Sequence, residues 1–138
     1  MKLLSRLLLV LITTFTVCIN LNAKNNHDKT IYAIAFGSSF NDSTVYLTAI
    51  LPLTDGKINT KSKFLDHRAE YTNQFKQYLD ATYPTHHTCA IFYDKNKKRL
   101  DKQLIKLRRR YQKDKQTKLT EVPINAFSFK SPLEAESE

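Results

Sequence analysis

The chain of 138 residues has no tryptophan, two glycines, two cysteines, four prolines and one methionine. Gly37 and Gly56 stand too far apart for a dinucleotide fingerprint, a P-loop or a nucleophile elbow, all of which need closely spaced glycines. Two cysteines cannot make a disulfide framework of the kind that staples small secreted domains. Acid is scarce as well: 13 Asp+Glu oppose 22 Lys+Arg, a formal net charge of +9. The longest nearly apolar run, residues 7–17, is shorter than the roughly 20 residues that cross a bilayer. What is there is ordinary for a globular chain, with 41% hydrophobic residues, so one small domain is expected.

Residues 1–23 read as an export signal. Lys2 and Arg6 precede the apolar run, and Ala23 supplies a small residue at the cleavage point. This places the protein in the periplasm or outside the cell, with no transmembrane segment left after processing. Acylation at Cys18 is the alternative, although Val17 before it is bulkier than such processing favours. Cleavage after Ala23 leaves Cys89 as the sole thiol.

The remainder divides by hydrophobic period. Residues 30–36 are apolar at every alternate position and on both faces, as a strand covered on both sides requires. A turn-rich stretch, 37–43, leads to a second β-branched and aromatic strand, 44–51, with Pro52 near its end. Residues 53–63 form a connection in which Asp55-Gly56 suits a small hairpin. From Asp66, a candidate N-cap, Tyr71, Phe75, Tyr78, Leu79 and Thr82 follow helical spacing until Pro84. A strand over 87–93, a helix over 95–115 and a strand over 118–129 broken at Pro123 complete a domain spanning 30–130. Residues 131–138 read as a loose acidic tail. The order β-β-α-β-α-β predicts an α/β fold, with α+β as the alternative: a two-layer sandwich on a mixed four-stranded sheet. In that arrangement the helices shield one face and tyrosines line a half-covered second face.

The charge belongs to one segment. Residues 95–115 hold eleven Lys and Arg against Asp101 and Asp114. With Lys2 and Arg6 removed by processing, the rest of the chain is slightly acidic. Within the segment, Leu100, Leu104, Leu107 and Tyr111 make one narrow stripe, and Arg99, Lys102, Lys106, Arg109 and Lys113 make another almost directly opposite. The plain reading is a solvated face, since charge runs usually need no further explanation. Yet like charges at i,i+4, as in Lys102/Lys106 and Arg109/Lys113, each cost a helix about 0.2–0.5 kcal/mol. The functional reading is a ridge for an anionic surface or acidic protein of the cell envelope. Five such charges near an anionic membrane supply roughly 5 kcal/mol. Nucleic acid is disfavoured, for no reader motif or stacking platform accompanies the ridge. A third reading is internal, with Glu134, Glu136, Glu138 and the terminal carboxylate folding back to mask part of the ridge.

Other candidate chemistry centres on His86-His87-Thr88-Cys89. His87 and Cys89 share a strand face and could point at one ion, with His67 as a third ligand, or Cys89 could act as a reactive thiol. Against both, the spacing lacks a paired metal signature, and a mid-strand cysteine is ordinarily a small buried hydrophobe. Asp42-Ser43 and Asp66-His67-Arg68 read as turn and helix-start residues, and Tyr71/Phe75/Tyr78 as core. The expected protein is therefore a non-enzymatic binding module without a cofactor or catalytic residues. A thiol- or metal-dependent activity at Cys89 and His87, and a structural protein–protein module, are the alternatives.

Four stretches, Phe40-Asn-Asp-Ser-Thr-Val-Tyr46, Arg68 to Leu79, Thr88-Cys-Ala-Ile-Phe92 and the lysine-rich run 97–113, resemble small exported proteins of Bacteroidetes-type bacteria that have no assigned function. The resemblance implies export and a shared α/β domain. It carries no catalytic residue with it.

Overall fold

The structure is a computed structural model that describes residues 30–133. The segment expected to be an export signal, with Cys18, and Glu134, Glu136 and Glu138 of the expected tail lie outside the described residues. Five strands and two helices follow in order: β1 (Ile31–Ser39), β2 (Thr44–Leu47), β3 (Leu51–Leu53), α1 (Arg68–Thr82), β4 (His87–Asp94), α2 (Lys97–Lys113) and β5 (Lys118–Glu121). The mixed sheet and the alternation of elements are those the periodicity predicts.

β1 is the axis of the sheet. β4 runs antiparallel along one of its edges from Tyr32↔Asp94 to Ser39↔His87. β2 and β3 share its other edge, also antiparallel, with β2 against Phe36–Ser38 and β3 against Ile31–Ala33. These two are the second expected strand, divided at Thr48. The Thr48 N–H donates to Ala35 O at 3.0 Å, while its hydroxyl accepts the Ala35 N–H at 2.9 Å and donates to Ala49 O. A side chain thus takes a rung the ladder would otherwise supply, and Thr48 is buried doing so. β5 closes the far edge, parallel to β2. Five strands therefore occupy four positions, β4-β1-β2/β3-β5.

The helices lie on opposite faces. Tyr71, Phe75 and Leu79 of α1 pack with Ala33, Ala35 and Ile91, whereas Leu100 and Leu104 of α2 pack with Ile34, Leu47, Tyr32 and Phe36. The layering is helix–sheet–helix, in place of the two helices on one face expected above. The reason is the strand order. The β3–α1–β4 connection crosses β1 in one direction, and the β4–α2–β5 connection returns across β1 and β2 in the other. Crossovers that obey the right-handed rule in opposite directions place their helices on opposite faces. The alternation of β1 suits this, with small residues under α1 and larger ones under α2. A Cβ at Gly37 would overlap Leu79 Cδ1, so glycine there permits the close approach of α1.

Three boundaries move. Asp66 does not cap α1; its N–H is taken by Lys57 O, and His67 holds the cap position in a left-handed conformation with no side-chain cap. α2 is a turn shorter than expected, starting after Asn96, whose side chain accepts the Lys98 N–H at 3.0 Å. Beyond β5 the expected strand becomes irregular. Val122, Phe127 and Phe129 are buried against α1, and Gln74 exchanges hydrogen bonds of 2.9 and 3.1 Å with the Lys130 backbone. Ser131 and Pro132, assigned above to a loose tail, are buried.

Candidate functional site

α2 buries Leu100 and Leu104, half-buries Leu107 and Tyr111, and leaves Arg99, Lys102, Lys106, Arg109 and Lys113 exposed. Phe36 of β1 meets Tyr111 at 5.5 Å between ring centroids, which holds the last turns of α2 to the sheet. The charges behave unequally. Arg108, at the flank of the buried stripe, donates through Nε and Nη2 to both oxygens of Glu121 at 2.8 and 2.9 Å, a bidentate pair that ties α2 to β5. Arg99 approaches Asp94 at only 3.7 Å and is 75% exposed. Lys97 stands over the Tyr32 ring at 5.6 Å. Lys102, Lys106, Arg109 and Lys113 have no acidic partner within 4.0 Å among the described residues. The first turn of α2 has no acid and begins Lys97-Lys98-Arg99, against the helix dipole. Nothing in the packing calls for this excess.

The histidine–cysteine group is arranged otherwise. The imidazole of His87 is fully buried; its Nδ1–H donates to Asp80 Oδ1 at 2.9 Å, and the same oxygen accepts the His87 backbone N–H at 2.9 Å. Nε2 lies 3.2 Å from Thr85 Oγ1, and Tyr46 packs edge-on to the ring at 5.2 Å. The other oxygen of Asp80 accepts from Lys76. Hydrogen bonds from Lys76 and His87 hold the Asp80 carboxyl well below the ordinary carboxylate range. Both ring nitrogens of His87 are thus committed within the protein.

Cys89 is half-buried on the same strand face, beside a cleft of about 560 Å³ between α1 and β4 lined also by Thr72 and Lys76. Burial, and next the charge of Asp80, push the Cys89 thiol up to about 11. The thiolate, which is the nucleophile and the metal ligand, is thereby disfavoured. His67 is not near. It lies at the opposite end of α1 from Asp80, roughly 20 Å away by the rise of the helix, and faces Glu70 at 3.8 Å. No cluster of three metal-ligating side chains occurs among the described residues.

Asp42 accepts the Thr44 N–H at 2.7 Å as a turn residue, and Tyr71 and Phe75 are core, with Tyr78 partly buried against it. Sequence reasoning missed the Lys76–Asp80–His87 cluster. The i,i+4 spacing of Lys76 and Asp80 was its only local signal. Comparison with protein-family models, with curated proteins and with solved structures finds no match.

Proposed function

We propose that the protein is an exported, non-enzymatic binding module that presents the exposed face of α2 to an anionic partner of the cell envelope. The observation that carries this reading is the division of labour within one helix. Arg108 is satisfied by Glu121, while Lys102, Lys106, Arg109 and Lys113 stand unpaired on the side opposite Leu100 and Leu104. A helix that served solubility alone could interleave acids with its lysines; unpaired like charges cost stability, and an opposite charge on a partner offsets that cost. The committed ring nitrogens of His87 and the raised thiol of Cys89 support a structural role for the second cluster.

The test is retention on a heparin matrix as a generic polyanion. The protein should elute at raised salt, and the Arg99→Gln/Lys102→Gln/Lys106→Gln/Arg109→Gln variant should pass through with an unchanged circular dichroism spectrum. Equal retention of the two would end this reading. Rapid modification of Cys89 at neutral pH in the folded protein would instead favour a thiol-dependent activity.

A further inference from the structure

The loop between β1 and β2 carries the most exposed large hydrophobic side chain among the described residues, Phe40, at 94%. The loop is braced rather than loose. Ser39 Oγ accepts the Asn41 N–H at 3.1 Å, and Asp42 Oδ1 accepts the Thr44 N–H. Phe40 is therefore held out by the turns on either side of it.

Its neighbour is the turn that leads out of α2. The Lys118 N–H donates to Ser43 O at 2.9 Å, and Thr44 and Lys118 are paired across β2 and β5. The α2–β5 turn is itself closed by Asp114, which accepts the Gln116 N–H and the Thr117 hydroxyl. One end of the domain thus brings together a projecting aromatic ring and the exposed cations Lys113, Lys115 and Lys118. The opposite end of the ridge, at Arg99 and Lys102, starts beside Asp94.

We infer that the anionic partner is the surface of a phospholipid bilayer bearing acidic headgroups, met by this end of the domain, with Phe40 entering the interface and Lys113, Lys115 and Lys118 facing the headgroups. The inference rests on the reading of α2 as an anion-binding face and narrows it. A polyanion such as an acidic polysaccharide rewards the lysines but has no apolar compartment for a phenylalanine. A bilayer rewards both, because apolar burial at the interface and attraction to acidic headgroups add. An acidic protein surface would reward the ridge along its whole length.

The absence of tryptophan makes the test clean, because Phe40→Trp introduces a single reporter. With phosphatidylglycerol-containing vesicles its emission should shift to the blue, and with heparin or pure phosphatidylcholine vesicles it should not. In sedimentation with the same acidic vesicles, Phe40→Ser should weaken binding about tenfold and leave heparin elution unchanged. Lys113→Gln and Lys115→Gln should each weaken vesicle binding about fivefold, more than Lys102→Gln does. Heparin binding without vesicle binding, or vesicle binding indifferent to Phe40→Ser, overturns the bilayer inference and leaves the anion-binding reading standing. Loss of both kinds of binding in the unmutated protein overturns both.

Discussion

The two helices of this domain solve the same problem with opposite means. α1 is covered on two sides: its Tyr71, Phe75 and Leu79 press on Ala33 and Ala35 of the sheet, and the segment from Val122 to Pro132 wraps a second flank. Phe75 meets Phe127 at 5.1 Å and stacks beside Tyr78 at 6.1 Å, and Phe127 meets Phe129 at 5.0 Å. α2 is covered on one side only, by Leu100, Leu104 and the partly buried Leu107, and the rest of its circumference is mostly charged, with Ile105 exposed among the cations. The pairing of strand and helix residues follows suit, for the aromatic helix lies on the small face of β1 and the leucine helix on the large one. One helix is held chiefly by packing; the other is held sufficiently and otherwise displayed. Under the proposed function, stability and recognition fall on opposite faces of one sheet, where mutation can separate them.

The largest expected effect tests the packed side. Phe75→Ala should destabilise by about 3–5 kcal/mol in urea unfolding, against about 2–4 kcal/mol for Leu104→Ala on the displayed helix. A reversed order would mean that α2 carries the core. Next, Asp80→Asn leaves one oxygen for the His87 backbone and ring but removes the charge that both His87 and Lys76 bond and sets an NH2 donor against Lys76, and should cost about 1–3 kcal/mol at neutral pH. Because the Asp80 carboxyl is held below its ordinary value in the folded state, its contribution is present above about pH 4 and fades as pH falls further. The difference between wild type and Asp80→Asn should therefore shrink on acidification, and a constant gap between their acid unfolding curves would contradict the assignment. Asn96→Ala, which removes the cap of α2, should cost about 1 kcal/mol. Smallest is Lys106→Gln: relieving the Lys102/Lys106 repulsion should raise stability by no more than about 0.5 kcal/mol, read as a slight rise in Tm, while heparin elution moves to lower salt.

How much of this was legible depended on whether the deciding contact was local. The face of α2 could be read directly, because Leu100 and Leu104 against Lys102, Lys106 and Arg109 is a contrast carried by one helical period. The ends were less so: Asp66 is a good capping residue, but the left-handed turn at His67 puts that residue in the cap position and ties Asp66 back to the loop through its N–H to Lys57 O, a placement no propensity foretells. Phe127 and Phe129 alternate like a strand, yet past Pro123 their backbone turns to Gln74 of α1 and not to a neighbouring strand. The layering was hidden for a larger reason. It follows from β4 joining β1 at the edge opposite β2, and strand order is a long-range choice. The Asp80–His87 pair was hidden likewise, since it forms only when the turn at Pro84 brings the start of β4 back to the end of α1.

The position of β1 also sets the timing of assembly. It is the first element of the described domain, and its longest ladder is with β4, pairing Tyr32 with Asp94. The hairpin it makes early, with β2 and β3 along one edge, has three rungs between Phe36 and Ser38 and three between Ile31 and Ala33. A two-stranded ribbon of that size is marginal in water. The second edge of β1 therefore stays unpaired until β4 has emerged, and closing so long a loop is slow compared with helix formation. A domain whose first strand waits for its fourth completes its central sheet only after most of its residues have been made.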